Sequence, residues 1–494
     1  MEYSGIKVLV MGLGLHGGGL QSARFLLKRG AEVTVTDLRD EKTLLPAIEQ
    51  LDTACRELGR EPVRYVLGRH EIEDFQKADI VIKNPGVKPD SPFLQAAKQI
   101  ETDISLFLAE SPARLFAVTG SKGKSCTASA LHWILDRAHD RRRTQQGLKQ
   151  SGGRSFLGGN ITVSPLTFLE KLTEEDDVVL ELSSWQLGDL KGRTAPDGSA
   201  LLKPKAAILT AIMPDHLDRY ASMEEYVDDK RNIYRGQDSN CVTVAGDDGW
   251  GKSFRAETRG RPLVYSRSPL GEGQSGGWID NGGLGVARLW DWPGCTGEIA
   301  ELVPSRLLTP GDHQKLNLLA AALGAYGLGV EAEKIREALA VFPGIEHRLE
   351  LFHEAKGTCF YNDSAATIPE AAAACIEALS PQGPLVLVTG GTDKNLDFSP
   401  LAQTAAKASS IILLAGSGSE KLMRLLGENG IKYSGPFDDL EKAVHCALEK
   451  AASLKNSADG SAIVALSPGC ASFGMFLNEF DRGRKWKDAV LRMT

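Results

Sequence analysis

Along most of the chain, short apolar runs alternate with stretches whose apolar residues recur at helical spacing. Ile6–Met11, Glu32–Thr36, Asp79–Lys83, Leu115–Thr119, Val178–Leu182, Ala206–Thr210, Pro384–Thr389, Ile411–Ala415 and Ser461–Leu466 read as buried strands. They are rich in Val, Ile and Leu and mostly closed by Gly, Pro, Ser or Asn. The alternation predicts an α/β fold of parallel sheets covered by helices. Three stretches break it. Residues 137–155, around Arg141-Arg142-Arg143, read as a basic surface loop. Residues 246–300, rich in Gly and Trp, read as an irregular or β-rich insertion. Phe342-Pro343-Gly344 closes a helical pattern and reads as a hinge. Domains are expected at 1–110, 111–343 and 344–494.

Length and composition narrow the class. The chain's 494 residues suit about three domains. A formal charge of -7 offers no global basic field, so neither nucleic acid nor an anionic membrane is an expected partner. The longest weakly polar run, Leu316 to Val330, is shorter than the ~18–20 residues of a membrane span. Lys7 before an apolar run mimics a signal peptide, but glycines follow it in place of a cleavage pattern. Eight Cys are scattered with no C-x-x-C and no zinc spacing, which suggests reduced thiols in a cytoplasmic enzyme. The 52 Gly are about a tenth of the chain against a usual ~7%, and many follow apolar runs, as in phosphate-binding loops.

Two glycine-rich turns carry candidate chemistry. Strand Lys7–Met11 runs into Gly12-Leu13-Gly14-Leu15-His16-Gly17, which has dinucleotide-type spacing and precedes a helix from Leu20 to Arg29. Glycines let backbone approach a phosphate, and a helix N-terminus adds free N–H groups. Asp37, ending the second strand, stands where such folds bond a ribose. The turn suits a nucleotide or nucleotide-sugar, with NAD or a plain tight turn as alternatives. The second turn follows Leu115–Thr119: Gly120-Ser121-Lys122-Gly123-Lys124-Ser125, then a helix from about Cys126 to Arg137. This shorter phosphate-loop variant would cradle ATP on backbone N–H groups, with Lys124 against the β/γ charge and Ser125 reaching Mg²⁺. Two strand-end clusters, Glu181-Leu182-Ser183-Ser184 and Asp215-His216-Leu217-Asp218-Arg219-Tyr220, add oxygen and imidazole donors.

Taken together, these residues resemble the Mur ligase family, ATP-dependent amide-forming enzymes of peptidoglycan synthesis. Thr119–Ser125 is similar to the family's ATP loop, Glu181 in Glu-Leu-Ser-Ser-x-Gln-Leu to its metal-binding glutamate, and Asp215–Tyr220 to its D-H-x-D-R-Y segment. Gly311–Asn317 resembles G-x-H-N-x-x-N with Gln314 in place of the first Asn, so Asn317 carries the adenine contact. His347-Arg348 and Asn362-Asp363-Ser364 resemble the H-R pair and N-D-S turn of the third domain, with Arg348 and Asp363 expected at ATP. The resemblance implies three domains: Rossmann-like, central P-loop ATPase-like, and Rossmann-like again.

Gly390–Lys394 and Leu466–Ser472 are most similar to the family's D-glutamate-adding branch. That implies a UDP-sugar site at Leu15, His16, Asp37, Arg39 and Asn160, and a glutamate site at Thr367, Lys394, Ser472 and Phe480. The implied partners are UDP-N-acetylmuramoyl-L-alanine, D-glutamate and ATP, handled by a monomer. By the resemblance, Ser125, Glu181, His216 and Lys230 would hold Mg²⁺, as one ion or two, with Lys230 carbamylated; the alternative for Lys230 is a plain surface lysine. Lys124, His216 and Lys230 are the catalytic candidates, His216 as ligand in preference to base. Ala365 stands where relatives carry lysine, and Cys126 where they carry threonine. Other readings are a ligase using L-glutamate or another amino acid, a folylpolyglutamate-type ligase, and a non-catalytic nucleotide-gated scaffold.

Overall fold

A computed structural model describes residues 3–14, 18–145, 153–161, 163–215, 219–290, 292–293, 297–309, 311–455 and 461–494, with only the backbone described at 140–145 and 312. Three sheets organise the chain. The first is wholly parallel, in spatial order Arg64–Leu67, Glu32–Asp37, Lys7–Met11, Ile80–Lys83, Ile100–Glu101. The chain runs outward from Lys7–Met11 on one side and then returns to its other side. This puts a topological switch point, where open α/β sheets hold ligands, beside the first glycine turn.

The second sheet runs Ala300–Val303, Gly285–Arg288, Gly276–Ile279, Arg261–Ser266, Val242–Gly246, Ala206–Leu209, Arg114–Thr119, Asp177–Glu181, Ser155–Gly159. From Gly276–Ile279 to Ser155–Gly159 neighbours are parallel, and the first two strands are antiparallel additions. Arg114–Thr119 lies between Ala206–Leu209 and Asp177–Glu181, so the phosphate loop and both acidic clusters leave the same sheet end. The third sheet runs Glu350–Ala355, Thr358–Asn362, Ala462–Leu466, Leu385–Thr389, Ser410–Leu414, Ser434–Phe437, and only its first strand is antiparallel. Packing divides the chain into two units: residues 1–305 with 315–339, and residues 306–314 with 340–494.

All nine strands expected from sequence are present within about two residues at either end. Each is walled by buried aliphatic side chains, as at Val8, Val10, Val118, Val179, Ile208, Leu387 and Val464. The loop expected at 137–155 is not wholly a loop. The helix Lys124–Gln145 continues through its first part, and the strand Ser155–Gly159 begins at its end. Arg and Gln are good helix formers, so a charge-dense run extends a helix without an apolar stripe to announce it. Over 246–300 the chain forms the helix Gly249–Glu257 and the strands Arg261–Ser266, Gly276–Ile279 and Gly285–Arg288, with Ala300–Val303 following; the β-rich reading fits.

Helix Gly18–Lys28 lies so close to the first strand's exit that a Cβ on Gly19 would stand 2.0 Å from the Gly12 carbonyl oxygen and 2.7 Å from that of Leu13. Both obstacles are backbone. Gly19→Ala therefore forces helix and strand apart, and is expected to lower stability by about 1–3 kcal/mol, the range for overpacking. A urea midpoint equal to wild type would refute the close packing.

Candidate active site

The phosphate loop is shaped by contacts that leave room for nothing larger than glycine at two places. Gly120 has φ +147° and a Cβ there would meet the Thr210 hydroxyl at 1.9 Å; Gly123 has φ +92° and a Cβ there would meet Asn317 Oδ1 at 2.3 Å. Both positions lie in backbone conformations that favour glycine. The Ser121 amide donates to the Ala211 carbonyl at 2.8 Å. The Ser121 hydroxyl donates to the Met213 carbonyl at 2.9 Å, accepts from the Met213 amide at 3.0 Å, and meets the buried Tyr226 hydroxyl at 2.8 Å. The loop is thereby fixed to the segment that leads to Asp215. Lys124 Nζ donates to the carbonyls of Gly120 at 3.0 Å and Ser121 at 2.9 Å, so the cation lies over the loop. Lys122 is exposed, 3.8 Å from Asp215 Oδ2, and Ser125 is half-buried in the first helical turn. Asn317, from the helix Asp312–Tyr326, packs on Gly123 and accepts at its carbonyl from the Thr127 hydroxyl at 3.3 Å.

Glu181 ends the neighbouring strand and is 1% exposed. Its Oε1 accepts from Asn160 Nδ2 at 3.0 Å, while its buried Oε2 has no hydrogen-bond partner among the described residues. A buried carboxylate oxygen without a donor is costly unless a cation or water completes it. The donor set of a carboxylate and the Ser125 hydroxyl suits Mg²⁺, which prefers oxygen ligands. Lys230, on the helix Met223–Arg235, is 1% exposed, which excludes the surface-lysine reading. Its Nζ donates to the Gly120 carbonyl at 2.8 Å and lies 4.4 Å from the centre of the Tyr226 ring. Burial, and then the nearby Lys124 charge, bring its pKa down to about 7.

The first glycine turn lies in the same unit. Gly12 and Gly14 take φ +92° and +71°. Asp37, 6% exposed, accepts from the Gly14 amide at 3.2 Å and the Arg39 amide at 2.9 Å, so its carboxylate braces the turn. Arg39 itself is exposed. Asn84 lies across the turn, 3.2 Å from the position a Gly12 Cβ would take. Three cation contacts join this region to the second sheet. Buried Lys83 forms an ion pair with Asp189 at 2.6 Å. Arg219 stacks on Trp185, with its guanidinium carbon 4.1 Å from the ring centre, and donates to the carbonyls of Pro85, Gly86 and Val87. Arg193 pairs with Glu101 and donates to the Ile100 carbonyl. Leu15, His16 and His216 lie outside the described residues.

The second unit gathers the remaining candidates around three loops. Asp363 is buried. Its Oδ2 accepts from the Ser467 hydroxyl at 2.6 Å and its Oδ1 from the Leu349 amide at 3.1 Å. Burial nonetheless pushes its pKa up to about 7, against those hydrogen bonds. The Gly469 amide donates to the Ala366 carbonyl at 2.9 Å, and Thr392 and Ala471 exchange backbone hydrogen bonds at 3.1 and 3.0 Å. These bonds draw together the loops that bear Thr367, Lys394 and Ser472. Ser472 is buried, Lys394 is exposed with Nζ 5.7 Å from the centre of the Phe473 ring, and Phe480 packs against His347 at 5.6 Å between ring centres. Arg348 is exposed beside this group.

Sequence reasoning passed over Thr210, Tyr226, Asn84, Lys83 and Asp189. None belongs to a glycine-rich or acidic motif; each acts by holding a loop, and such contacts form only when distant segments meet. The nearest local signal was Asn84-Pro85-Gly86, a turn at a strand end like those that bear the other candidates.

Parallel sheets, a phosphate loop and a buried carboxylate at one sheet end define a nucleotide-handling α/β protein of the P-loop kind. Known proteins specify it further. The chain matches the Mur ligase MurD-like N-terminal domain over residues 6–105, the Mur ligase middle domain over 118–325 and the Mur ligase glutamate ligase domain over 347–465. It is 38% identical to a UDP-N-acetylmuramoylalanine--D-glutamate ligase of Treponema pallidum, covering 98% of this chain and 97% of that one. To the ligase of the same name from Roseiflexus it is 37% identical, with both chains fully covered. Among solved structures, the fold is similar to the UDP-N-acetylmuramate-alanine ligase MurC of Thermotoga maritima, with a TM-score of 0.55 at 18% identity over 99% of this chain and 100% of that one. A MurF structure from Acinetobacter baumannii gives a TM-score of 0.54 at 15% identity over 99% and 91%. The chain belongs to the Mur ligase family, whose three-domain α/β architecture it shares.

The raised Asp363 pKa has a testable sign. The native carboxyl keeps a proton that the unfolded chain loses near pH 3.8, so this group's contribution to stability falls as pH rises from about 4 through about 7. Asp363→Asn lacks that slope. Its stability relative to wild type should therefore improve between pH 5 and pH 8 in denaturant titrations, and a constant difference would refute the assignment.

Proposed function

We propose that this protein joins D-glutamate to UDP-N-acetylmuramoyl-L-alanine at the expense of ATP, in the synthesis of peptidoglycan precursors. The observation that carries the reading is the meeting of Lys124, Lys230 and Glu181 at the exit of one sheet, around a glycine loop built for phosphate. The MurD-like match at residues 6–105 supports a nucleotide-sugar site there and disfavours the folylpolyglutamate reading. The D-glutamate ligases that align with nearly the whole chain support the acceptor.

A carboxylate is a poor electrophile, so the alanine carboxylate must be activated. In the proposed sequence it attacks the γ-phosphoryl group of ATP, forming an acyl phosphate and releasing ADP. The glutamate amine then attacks the acyl carbon, and phosphate leaves. Lys124 offsets the charge that crowds on the loop, and the backbone N–H groups of Gly120–Ser125 orient the phosphates. ATP would be held by Gly120, Ser121, Lys122, Gly123, Lys124, Ser125 and Asn317, and Arg348 and Asp363 are also proposed as ATP contacts. Ser125, Glu181, His216 and Lys230 would hold Mg²⁺, which neutralises developing charge on phosphate oxygens when bound. The UDP-sugar would meet Leu15, His16, Asp37, Arg39 and Asn160. Thr367, Lys394, Ser472 and Phe480 would take the glutamate. A pKa near 7 leaves much of the Lys230 amine neutral at physiological pH. An amine of that kind adds CO₂, and the carbamate formed would be an anionic ligand where a cation now stands. Domains are proposed at 1–110, 111–343 and 344–494, in a cytoplasmic monomer.

Two measurements test this. Phosphate release should need ATP, UDP-N-acetylmuramoyl-L-alanine and D-glutamate together, with L-glutamate at least about a hundredfold poorer, since a site built for one hand misplaces the amine of the other. Equal use of both would contradict the proposed acceptor. Protein equilibrated with ¹³C-bicarbonate should show a carbamate carbon resonance that Lys230→Ala lacks; a spectrum without it at pH 8 would exclude the carbamate.

A further inference from the structure

Arg482 is among the largest wholly buried side chains of the protein, at 1% exposure on the helix Glu479–Met493. Its guanidinium meets only neutral acceptors. Nε donates to the Ser364 hydroxyl at 3.0 Å, one terminal nitrogen to the Ser364 carbonyl at 2.8 Å, and the other to the Cys470 carbonyl at 3.1 Å. The Ser364 hydroxyl passes the chain on, donating to the Glu479 carbonyl at 2.7 Å. Among the described residues it forms no ion pair with a carboxylate. Burial brings its pKa down to about 10, which still leaves it a cation at neutral pH; the acidic groups facing it are Cys470, Glu479 and Asp363.

An isolated buried charge is unfavourable, and apolar side chains of similar volume would serve packing better. Its location gives the charge a use. The three bonds tie the turn Asn362–Thr367 to the loop Ser467–Ser472, and the terminal nitrogen that serves Cys470 lies 3.8 Å from where a Gly391 Cβ would stand. These loops leave the carboxyl ends of Thr358–Asn362, Ala462–Leu466 and Leu385–Thr389, neighbours in one parallel sheet. Open α/β sheets bind ligands there. Ala365 brings no charge to the turn, and the neighbouring Gly483 is held small by His347, whose Nδ1 lies 2.1 Å from a Cβ built on it. The helix is thus pressed against the turn at Arg482.

We propose that Arg482 is a positioning residue for the dicarboxylate acceptor: its fork holds the loops of Thr367 and Ser472 in register, and its buried charge favours an anionic ligand at those loops. The inference rests on the function proposed above, since it assumes glutamate binds at these loops. Unlike a surface lysine, a buried guanidinium keeps its field because water cannot screen it.

Steady-state kinetics on the full-length Arg482→Lys and Arg482→Met proteins test it. Arg482→Met should raise KM for D-glutamate by about 10- to 100-fold, the scale of a small misplacement, with KM for the UDP-sugar within about twofold. It should also shrink the preference for D-glutamate over D-glutamine, as a purely structural role would not. Arg482→Lys, which keeps the charge and loses the fork, should restore the preference while KM for D-glutamate stays raised. Unchanged KM for D-glutamate in a folded variant, or KM for the UDP-sugar rising with it, would overturn the proposal; so would failure of Arg482→Lys to fold, which would make the residue a structural plug. A wild type that ligates no D-glutamate would overturn the functional reading itself, and this inference with it.

Discussion

Two ammonium groups share one carbonyl oxygen at the centre of the first unit: Lys124 and Lys230 both donate to Gly120, at 3.0 and 2.8 Å. Burial disfavours the Lys230 charge most, and the like charge of Lys124 nearby adds to the cost. The lowered pKa of Lys230 records that cost. The arrangement makes sense as a site awaiting negative charge. A triphosphate against the loop would neutralise Lys124, and CO₂ captured by Lys230 would convert the second cation into an anion. The glycines at 120 and 123, walled by Thr210 and Asn317, fix the loop on which both depend.

Around that centre, the chain uses buried and half-buried polar contacts where hydrophobic packing would be cheaper. Lys83 with Asp189, Arg219 over Trp185, and Arg193 with Glu101 join the exits of the first and second sheets. Replacing such pairs with apolar side chains often costs nothing in stability, so their value is more readily sought in specificity of geometry. Asp189 ends the short helix Ser184–Asp189, which begins three residues after Glu181. A substrate held at the first turn would thereby lie one rigid element from the carboxylate expected to hold metal.

Much of this was legible in the sequence. The nine strands expected from sequence carry their own signature, because strands buried on both faces are mostly apolar, but the buried interior strands Val242–Gly246 and Thr358–Asn362 were passed over. The glycine turns at 12–14 and 120–123 announce themselves by spacing and Glu181 by its strand-end cluster, whereas Lys230 was expected only from its place in the family resemblance. The edge strands Glu350–Ala355 and Ser434–Phe437 were invisible: half-exposed, they carry no apolar run. Residues 137–145 hid their helix because charge, with no apolar stripe, filled it. Thr210, Tyr226 and Asn84 were missed for a deeper reason, since a residue that braces a loop from a hundred positions away has no local pattern. At Asp37 the structure adds a role that no motif announces, since the residue expected at a ribose accepts from the Gly14 and Arg39 amides.

The proposed route hangs on one transfer, in which the loop from Gly120 to Ser125 would present a terminal phosphoryl group to a carboxylate. The direct measurement uses UDP-N-acetylmuramoyl-L-alanine carrying oxygen-18 in the alanine carboxylate, with ATP and D-glutamate, and follows the label into inorganic phosphate by mass spectrometry. One labelled oxygen is expected in each phosphate released per amide formed. Amide formation with unlabelled phosphate would contradict the acyl-phosphate route.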